Sequence, residues 1–280
     1  MRMKHCCQRN DMRLREFFYL IGFKPNYQFY SYEIQKIHLE KDGDIEYARW
    51  LCPKFKDLNL GQSEIDDLRR FLSEGDLAID IGAQVGDSTL PIAIACGASG
   101  AVLAYEPNPM SFAILGANST LNPGRTNIIP VPFAVTEEDA TLTFDYSDPW
   151  LRNGGDHKDV SKWKHGSAFT IPVQARNVES MIREKYADRL SRFKYLKTDV
   201  EGHDLSTLRS LAGLIQEFRP HIKSEVGRQT SDSNRKGMFE FFKDLNYEIR
   251  KVQSDTLFGS KMLESDMANE RTIDIFAIPL

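Results

Sequence analysis

A chain of 280 residues, 41% of them hydrophobic, is long enough to bury one large α/β core with extensions, or two smaller ones. Its net charge of −4 argues against a general nucleic-acid binder, which carries a basic face. Cys6, Cys7, Cys52 and Cys96 show no C-x-x-C spacing, so neither a zinc site nor a redox motif is indicated, and a reducing, cytoplasmic compartment fits.

The amino terminus places Arg2, Lys4, Arg9, Arg13 and Arg15 before the apolar run Phe17-Phe18-Tyr19-Leu20-Ile21-Gly22-Phe23. That run is shorter than the ~18 residues a bilayer span needs, and no small-residue cleavage site is evident. It reads as a short amphipathic helix packed on the domain, with peripheral membrane contact as the alternative. Residues 1–75 read as an α+β extension. Within it, Tyr30 to Leu39 alternates as a strand, Lys41-Asp42-Gly43-Asp44 is a turn signal, and Ser63 to Leu72 is a helix with Ser63 as cap and Asp66 in the capping-box position.

Residues 76–280 read as the main domain, because a regular alternation begins at Asp76. Strands are expected at Leu77–Ile81, 101–106, 127–135, 193–200, 220–226, 247–252 and 272–278. Helices are expected over 87–96, 110–121, 204–215 and 236–245. The two prolines of the third strand, Pro130 and Pro132, suit an edge. Strands alternating with helices imply an α/β fold, a parallel sheet covered on both faces. One long loop, about 145–170, breaks the rhythm. It is flanked by Thr141–Phe144 and Phe169–Val173, which could pair as a hairpin. Its Tyr146, Trp150 and Trp163 suit either an aromatic platform for a sugar ring or anchors to the domain.

Ligands of open parallel sheets sit beyond the carboxyl ends of the strands. Asp80, Glu106, Asp199, Glu201 and Glu225 all fall at such ends. The stretch Asp80-Ile-Gly82-Ala-Gln-Val-Gly86-Asp-Ser88 has the form of a buried strand turning sharply into a helix beneath a nucleotide-like ligand. Gly82 would adopt backbone angles closed to other residues and admit the ligand to the main chain, and Gly86 would open the helix. Glu106 can accept hydrogen bonds from both hydroxyls of a ribose. Asn108 could reach the sugar or the adenine edge, and Phe133 could offer an adenine-facing surface or be plain core. A nicotinamide fingerprint would be G-x-G-x-x-G. Here an acidic residue precedes the loop, which would crowd a pyrophosphate but could orient a cationic amine. That charge argument favours S-adenosylmethionine over NAD.

The runs Asp80-Ile-Gly82-Ala-Gln-Val-Gly86, Tyr105-Glu106-Pro107-Asn108-Pro109 and Lys197-Thr-Asp199-Val-Glu201-Gly202-His203-Asp204-Leu205 together resemble the FkbM-type family of S-adenosylmethionine-dependent methyltransferases. Gln84 stands where family members commonly carry Asn or His. The resemblance implies the class I methyltransferase (Rossmann-like) fold, a seven-stranded, mostly parallel sheet with the last strand antiparallel. It also implies O-methylation, often of a sugar or natural-product hydroxyl. The expected cofactor contacts are Asp80, Gly82, Gly86, Ser88, Glu106, Asn108 and Phe133.

Removing the acceptor's proton calls for a general base. Asp199, Glu201 and His203 lie just past the fourth strand of the main domain and are the candidates, with His165 of the long loop as a second source. Asp199 with Glu225 also leaves Mg²⁺ open, although no metal is assigned. Lys197 and Lys223 are expected to pair with these acids. The expected partner is a small-molecule or glycan acceptor, with no nucleic acid and no integral membrane span. A nicotinamide-dependent oxidoreductase and a non-catalytic module of the same fold are the competing readings.

Overall fold

The computed structural model describes residues 14, 18–19, 21–53, 55, 57–149, 151, 169–228, 230–253 and 256–280. Cys6, Cys7, the basic residues up to Arg15, and Trp150, Trp163 and His165 lie outside the described residues. The described residues fall into two compact units, one drawn from Met1–Phe29 and Leu142–Val173, the other from Tyr30–Thr141 and Gln174–Leu280. In the smaller unit the rings of Tyr19 and Tyr27 meet the buried Phe169 edge-on at 5.6 and 5.7 Å. The Tyr27 hydroxyl donates to the Thr170 carbonyl at 2.9 Å.

In chain order the elements are β1 (Tyr32–Leu39), β2 (Gly43–Trp50), α1 (Gln62–Leu68), β3 (Leu77–Ile81), α2 (Thr89–Cys96), β4 (Ala101–Tyr105), α3 (Pro109–Thr120), β5 (Ile128–Val131) and β6 (Ala134–Val135). They continue as β7 (Ala140–Tyr146), β8 (Phe169–Arg176), α4 (Val178–Lys185), β9 (Phe193–Thr198), α5 (Asp204–Ser210), α6 (Ala212–Phe218), β10 (His221–Val226), α7 (Asp232–Asp244), β11 (Tyr247–Lys251), α8 (Asp266–Asn269) and β12 (Ile273–Pro279). Seven strands form one sheet in the order β11-β12-β10-β9-β3-β4-β5. The run from β10 to β5 is parallel, and β12 is antiparallel to both its neighbours. This is the seven-stranded arrangement expected, with the last strand antiparallel.

β3 and β4 are buried at all five positions, as unbroken apolar runs in a parallel sheet covered on both faces require. β5 lies at the sheet edge, where Pro130 removes no ladder donor that a neighbour needs. The core joins Leu77, Ile79, Leu103, Leu196 and Ile222 of the sheet to Leu208, Leu214 and Phe242 of the helices. β7 and β8 are neighbours in a second sheet, ordered β6-β8-β7, as the expected pairing requires. Among the described residues no helix is long and apolar enough to cross a membrane.

Several expected boundaries move. Ser63 does not cap α1; Gly61 occupies the cap position without a side-chain bond, and Asp66 instead pairs with Lys41 at 2.6 Å. α2 opens at Thr89, two residues after the expected start. The helix expected over 204–215 breaks at Leu211 into α5 and α6. α7 begins at Asp232, because the Ser231 hydroxyl accepts from the Asn234 amide and caps a first turn that is wholly polar.

β2 and α4 were not anticipated from the pattern. β2 pairs with β1 along its whole length. Its other edge is closed by two asparagines. Asn118 exchanges side-chain amide bonds with the backbone of Ala48, and Asn122 does the same with Glu46. Two amides spaced one helical turn apart thus satisfy a strand edge that would otherwise lie open to another chain.

Candidate active site

The chain builds the sheet outward from β3 to β4 and β5, then returns to lay β9 on the other side of β3. The strand order reverses between β3 and β9, which is where open parallel sheets hold their ligands. The carboxyl ends of β3, β4, β9 and β10 carry Asp80, Glu106, Asp199 and Glu225 there.

The turn after β3 is built against its neighbours. The amides of Gly82 and Ala83 both donate to the Tyr105 carbonyl at the end of β4, each at 3.0 Å. Gly82 has φ +79°, and a Cβ on it would lie 2.0 Å from the carbonyl oxygen of Asp199. Glycine is therefore required here, as expected, but it is the protein's own backbone that approaches it. Gly86, at φ +92°, donates to the Ala83 carbonyl inside the turn and does not open the helix. Between them Gln84 sits at φ +49°, left-handed without being glycine, and its amide points at Glu106.

Glu106 is 7% exposed. One carboxylate oxygen accepts from the Gln84 amide at 2.9 Å and the other from the Asn108 amide at 2.8 Å. Burial pushes the carboxyl up to about 7, against the pull of these two bonds. The Ser111 hydroxyl acts on the same carboxylate, so the group is aimed by the protein and retains acceptor capacity toward a ribose. Asn108, expected to reach the sugar or the adenine edge, also serves the helix that follows. Its side-chain oxygen accepts from the Met110 amide at 2.9 Å and caps α3, ahead of Pro109 at the first helical position. Phe133 is half-buried rather than core, with the Arg176 guanidinium 5.5 Å from its ring centre.

Asp80, expected to orient a ligand's amine, lies beneath the turn. It is 0% exposed. One oxygen accepts from the hydroxyls of Ser88 (3.0 Å) and Thr89 (2.6 Å), and the other is 3.2 Å from the Lys197 ammonium. Ser88 likewise faces inward to this carboxylate. Burial alone would push Lys197 down, but Asp80, Asp199 and Asp87 outweigh it and hold the ammonium above its ordinary range. Lys197 also donates to the Gly82 carbonyl at 3.2 Å and lies 3.8 Å from Asp199. It therefore ties the turn after β3 to the end of β9. Lys223 pairs with Asp274 at 3.0 Å, not with Asp199 or Glu225.

The structure brings Asp199, Glu201 and Glu225 together beyond β9 and β10. Burial raises Glu201, and Asp199 raises it further. His203 is exposed at the start of α5. Among the described residues no group of three or more His, Cys, Asp or Glu side chains is arranged to hold a metal. Lys197 as the link across the switch point, and Asn118, whose amide also donates to the Val85 carbonyl of the turn at 2.8 Å, were missed as site-building residues. A lysine inside a strand that is otherwise buried was the available signal, since such a charge requires a partner.

A doubly wound sheet of this order, with an acidic residue after the second strand of the core and a glycine turn after the first, is the class I methyltransferase fold. Residues 80–251 match the model of the methyltransferase FkbM domain, and the chain belongs to that family. Over 163 residues it is 26% identical to the hexuronic acid methyltransferase AglP of Haloferax volcanii, covering 58% of this chain and 61% of that protein. Over 178 residues it is 23% identical to the methyltransferase sdnD of Sordaria araneosa, covering 55% of this chain and 67% of that protein. The crystal structure of methyltransferase FkbM from Methylobacillus flagellatus KT superposes with a TM-score of 0.44 at 15% identity, over 74% of this chain and 44% of that one. The chain thus spans about three fifths of the length of the hexuronic acid methyltransferase. Family membership sets the nicotinamide reading aside.

Proposed function

We propose that the protein transfers a methyl group from S-adenosylmethionine to a hydroxyl of a sugar, glycan or natural-product acceptor. The observation that carries this reading is the Glu106 carboxylate, fixed by two backbone amides beside the Gly82–Gly86 turn. It fits a ligand that ends in a ribose diol, and the buried Asp80–Lys197 pair leaves no cation at the turn to meet a phosphate. Glu106 would hold the ribose and Phe133 would face the adenine. The donor supplies a methyl carbon on a cationic sulfur, whose carbon–sulfur electron pair returns to sulfur as the acceptor oxygen bonds the carbon.

The chain's own task is to align the acceptor and take its proton. Asp199, Glu201 and His203 flank the position from which that proton leaves. The hexuronic acid methyltransferase among the relatives supports a sugar acceptor. The acidic balance of the chain supports the absence of a nucleic-acid partner, and the burial of Cys52 and Cys96 outside any disulfide supports a cytoplasmic setting.

Calorimetric titration with S-adenosylhomocysteine and with NAD tests the reading. The first should bind and the second should not. Glu106→Gln should weaken S-adenosylhomocysteine roughly 10- to 100-fold, the worth of hydrogen bonds to a charged group. A protonated Glu106 presents a donor where an acceptor is needed, so affinity should fall as the pH drops below about 7. Tight NAD binding without S-adenosylhomocysteine binding overturns the proposal.

A further inference from the structure

We infer that Asp199 and Glu225 form a pair sharing one proton, with Glu225 as its carrier and Asp199, beside Lys197, as the group that faces the acceptor. The inference rests on the methyltransferase reading above and assigns Glu225 as a positioning residue acting through Asp199.

The geometry begins with register. β9 and β10 run parallel with Lys197 opposite Lys223 and Thr198 opposite Ser224. The next residues, Asp199 and Glu225, therefore leave the two strand ends side by side, and the carboxyl of Asp199 acts directly on that of Glu225. Two carboxyl groups hydrogen-bond only with a proton between them.

The surroundings decide which one holds it. Asp199 has the Lys197 ammonium 3.8 Å away. Glu225 faces Asp199 and Glu201 from the loop after β9, and Asp274 from β12. The cation on its own strand, Lys223, is drawn to Asp274 at 3.0 Å. Glu225 thus meets three acids, forms no ion pair among the described residues, and is half-buried. Burial, followed by the charge of Asp199, pushes it up to about 8. The O–H of Glu225 then donates to one Asp199 oxygen and orients the carboxylate. The other oxygen is left to accept the acceptor's hydroxyl proton as the acceptor's electron pair forms the carbon–oxygen bond. Asp199 is solvent-exposed, so the proton can pass from it to water. A pair that retains one proton carries a single negative charge and does not demand a dication to offset it.

Carboxyl ¹³C NMR on the full chain, labelled at Asp and Glu, tests this. The signal absent from Glu225→Gln identifies Glu225. In the wild type it should titrate near 8, and in Asp199→Asn it should move down by at least about one pH unit, as loss of a like charge in contact predicts. Thermal unfolding supplies a second readout. Glu225 is raised from its unfolded value, so its stabilisation is present at low pH and lost as the pH rises toward 8; Glu225→Gln should flatten that fall. A Glu225 signal in the ordinary carboxylate range, or one unmoved by Asp199→Asn, overturns the inference. So does a downward shift of about one unit or more on adding millimolar Mg²⁺, which would assign the pair to a metal. Titration of the same samples with S-adenosylhomocysteine separates the two levels. Binding with an ordinary Glu225 signal defeats the shared proton alone, whereas a shared proton without binding defeats the methyltransferase reading.

Discussion

Asp80 and Asp199 end neighbouring strands, and one lysine reaches both. Asp80 is fully enclosed, with the hydroxyls of Ser88 and Thr89 donating to one oxygen and the Lys197 ammonium 3.2 Å from the other. Asp199 leaves 45% of its side chain in solvent and sits at the longer distance from Lys197. Residue type is the same, but Asp80 lies inside β3, opposite Lys197, whereas Asp199 lies two residues further out, past the end of β9. What separates them is enclosure. The enclosed carboxylate, held by two hydroxyls and the ammonium, ties the turn after β3 to β9. The other is open to solvent. Among these strand-end acids, exposure to solvent is what separates the structural group from the one an acceptor can reach.

The most damaging way to disturb this contrast is Lys197→Met. It leaves the Asp80 carboxylate buried without a counter-charge, a loss of about 3–5 kcal/mol. Urea unfolding measures it, and the double variant with Asp80→Asn should recover part of the loss because the stranded charge is gone. A cost of Lys197→Met below about 1 kcal/mol, the range of exposed pairs, would mean that the Asp80–Lys197 pair is not what secures the turn. Next in size is Gly82→Ala. A left-handed backbone position carries about 1–3 kcal/mol of strain for a residue with a Cβ, and the Asp199 carbonyl must also retreat from a 2.0 Å overlap. Retreat would loosen the bond from the Asp199 amide to the Ile81 carbonyl. Faster hydrogen exchange at the Asp199 amide, together with a lower unfolding midpoint, is the expected outcome. Unchanged exchange would show that the turn yields without moving β9.

The same division explains what could be read in advance. Leu77–Ile81 and Ala101–Tyr105 were legible because a buried parallel strand is an unbroken apolar run, and the local pattern contains that information. The edge place of β5 was legible from Pro130. β2 was not, because Tyr47 and Ala48 are both buried and interrupt the alternation that marks a half-exposed strand. The start of α7 was missed because its first turn, Asp232-Ser233-Asn234-Arg235, is polar, although Ser231 was present as a capping signal. The site was legible as a set of acids at strand ends. The sorting of those acids was not, because it depends on Lys197 reaching Asp80, a contact between residues far apart in the chain. Asn108 illustrates the same limit: the side chain that could reach a sugar was equally suited to cap a helix, and Pro109 beside it pointed to the cap.

The smallest expected effect is also the sharpest test of the contrast. Asp80→Asn and Asp199→Asn are the same chemical change at adjacent strand ends. At Asp80 it removes the charge that offsets buried Lys197 and weakens two hydroxyl bonds, a cost of about 1–3 kcal/mol in unfolding free energy. At Asp199 the removed charge is exposed and acts on Lys197 from 3.8 Å while opposing Glu225. The two contributions have opposite signs, so the net change should fall within about 0.5 kcal/mol of the wild type at neutral pH. Paired denaturation curves decide it. Equal losses in the two variants would make Asp199 a structural acid like Asp80, and the role of proton acceptor at this end of β9 would pass to Glu201 or His203.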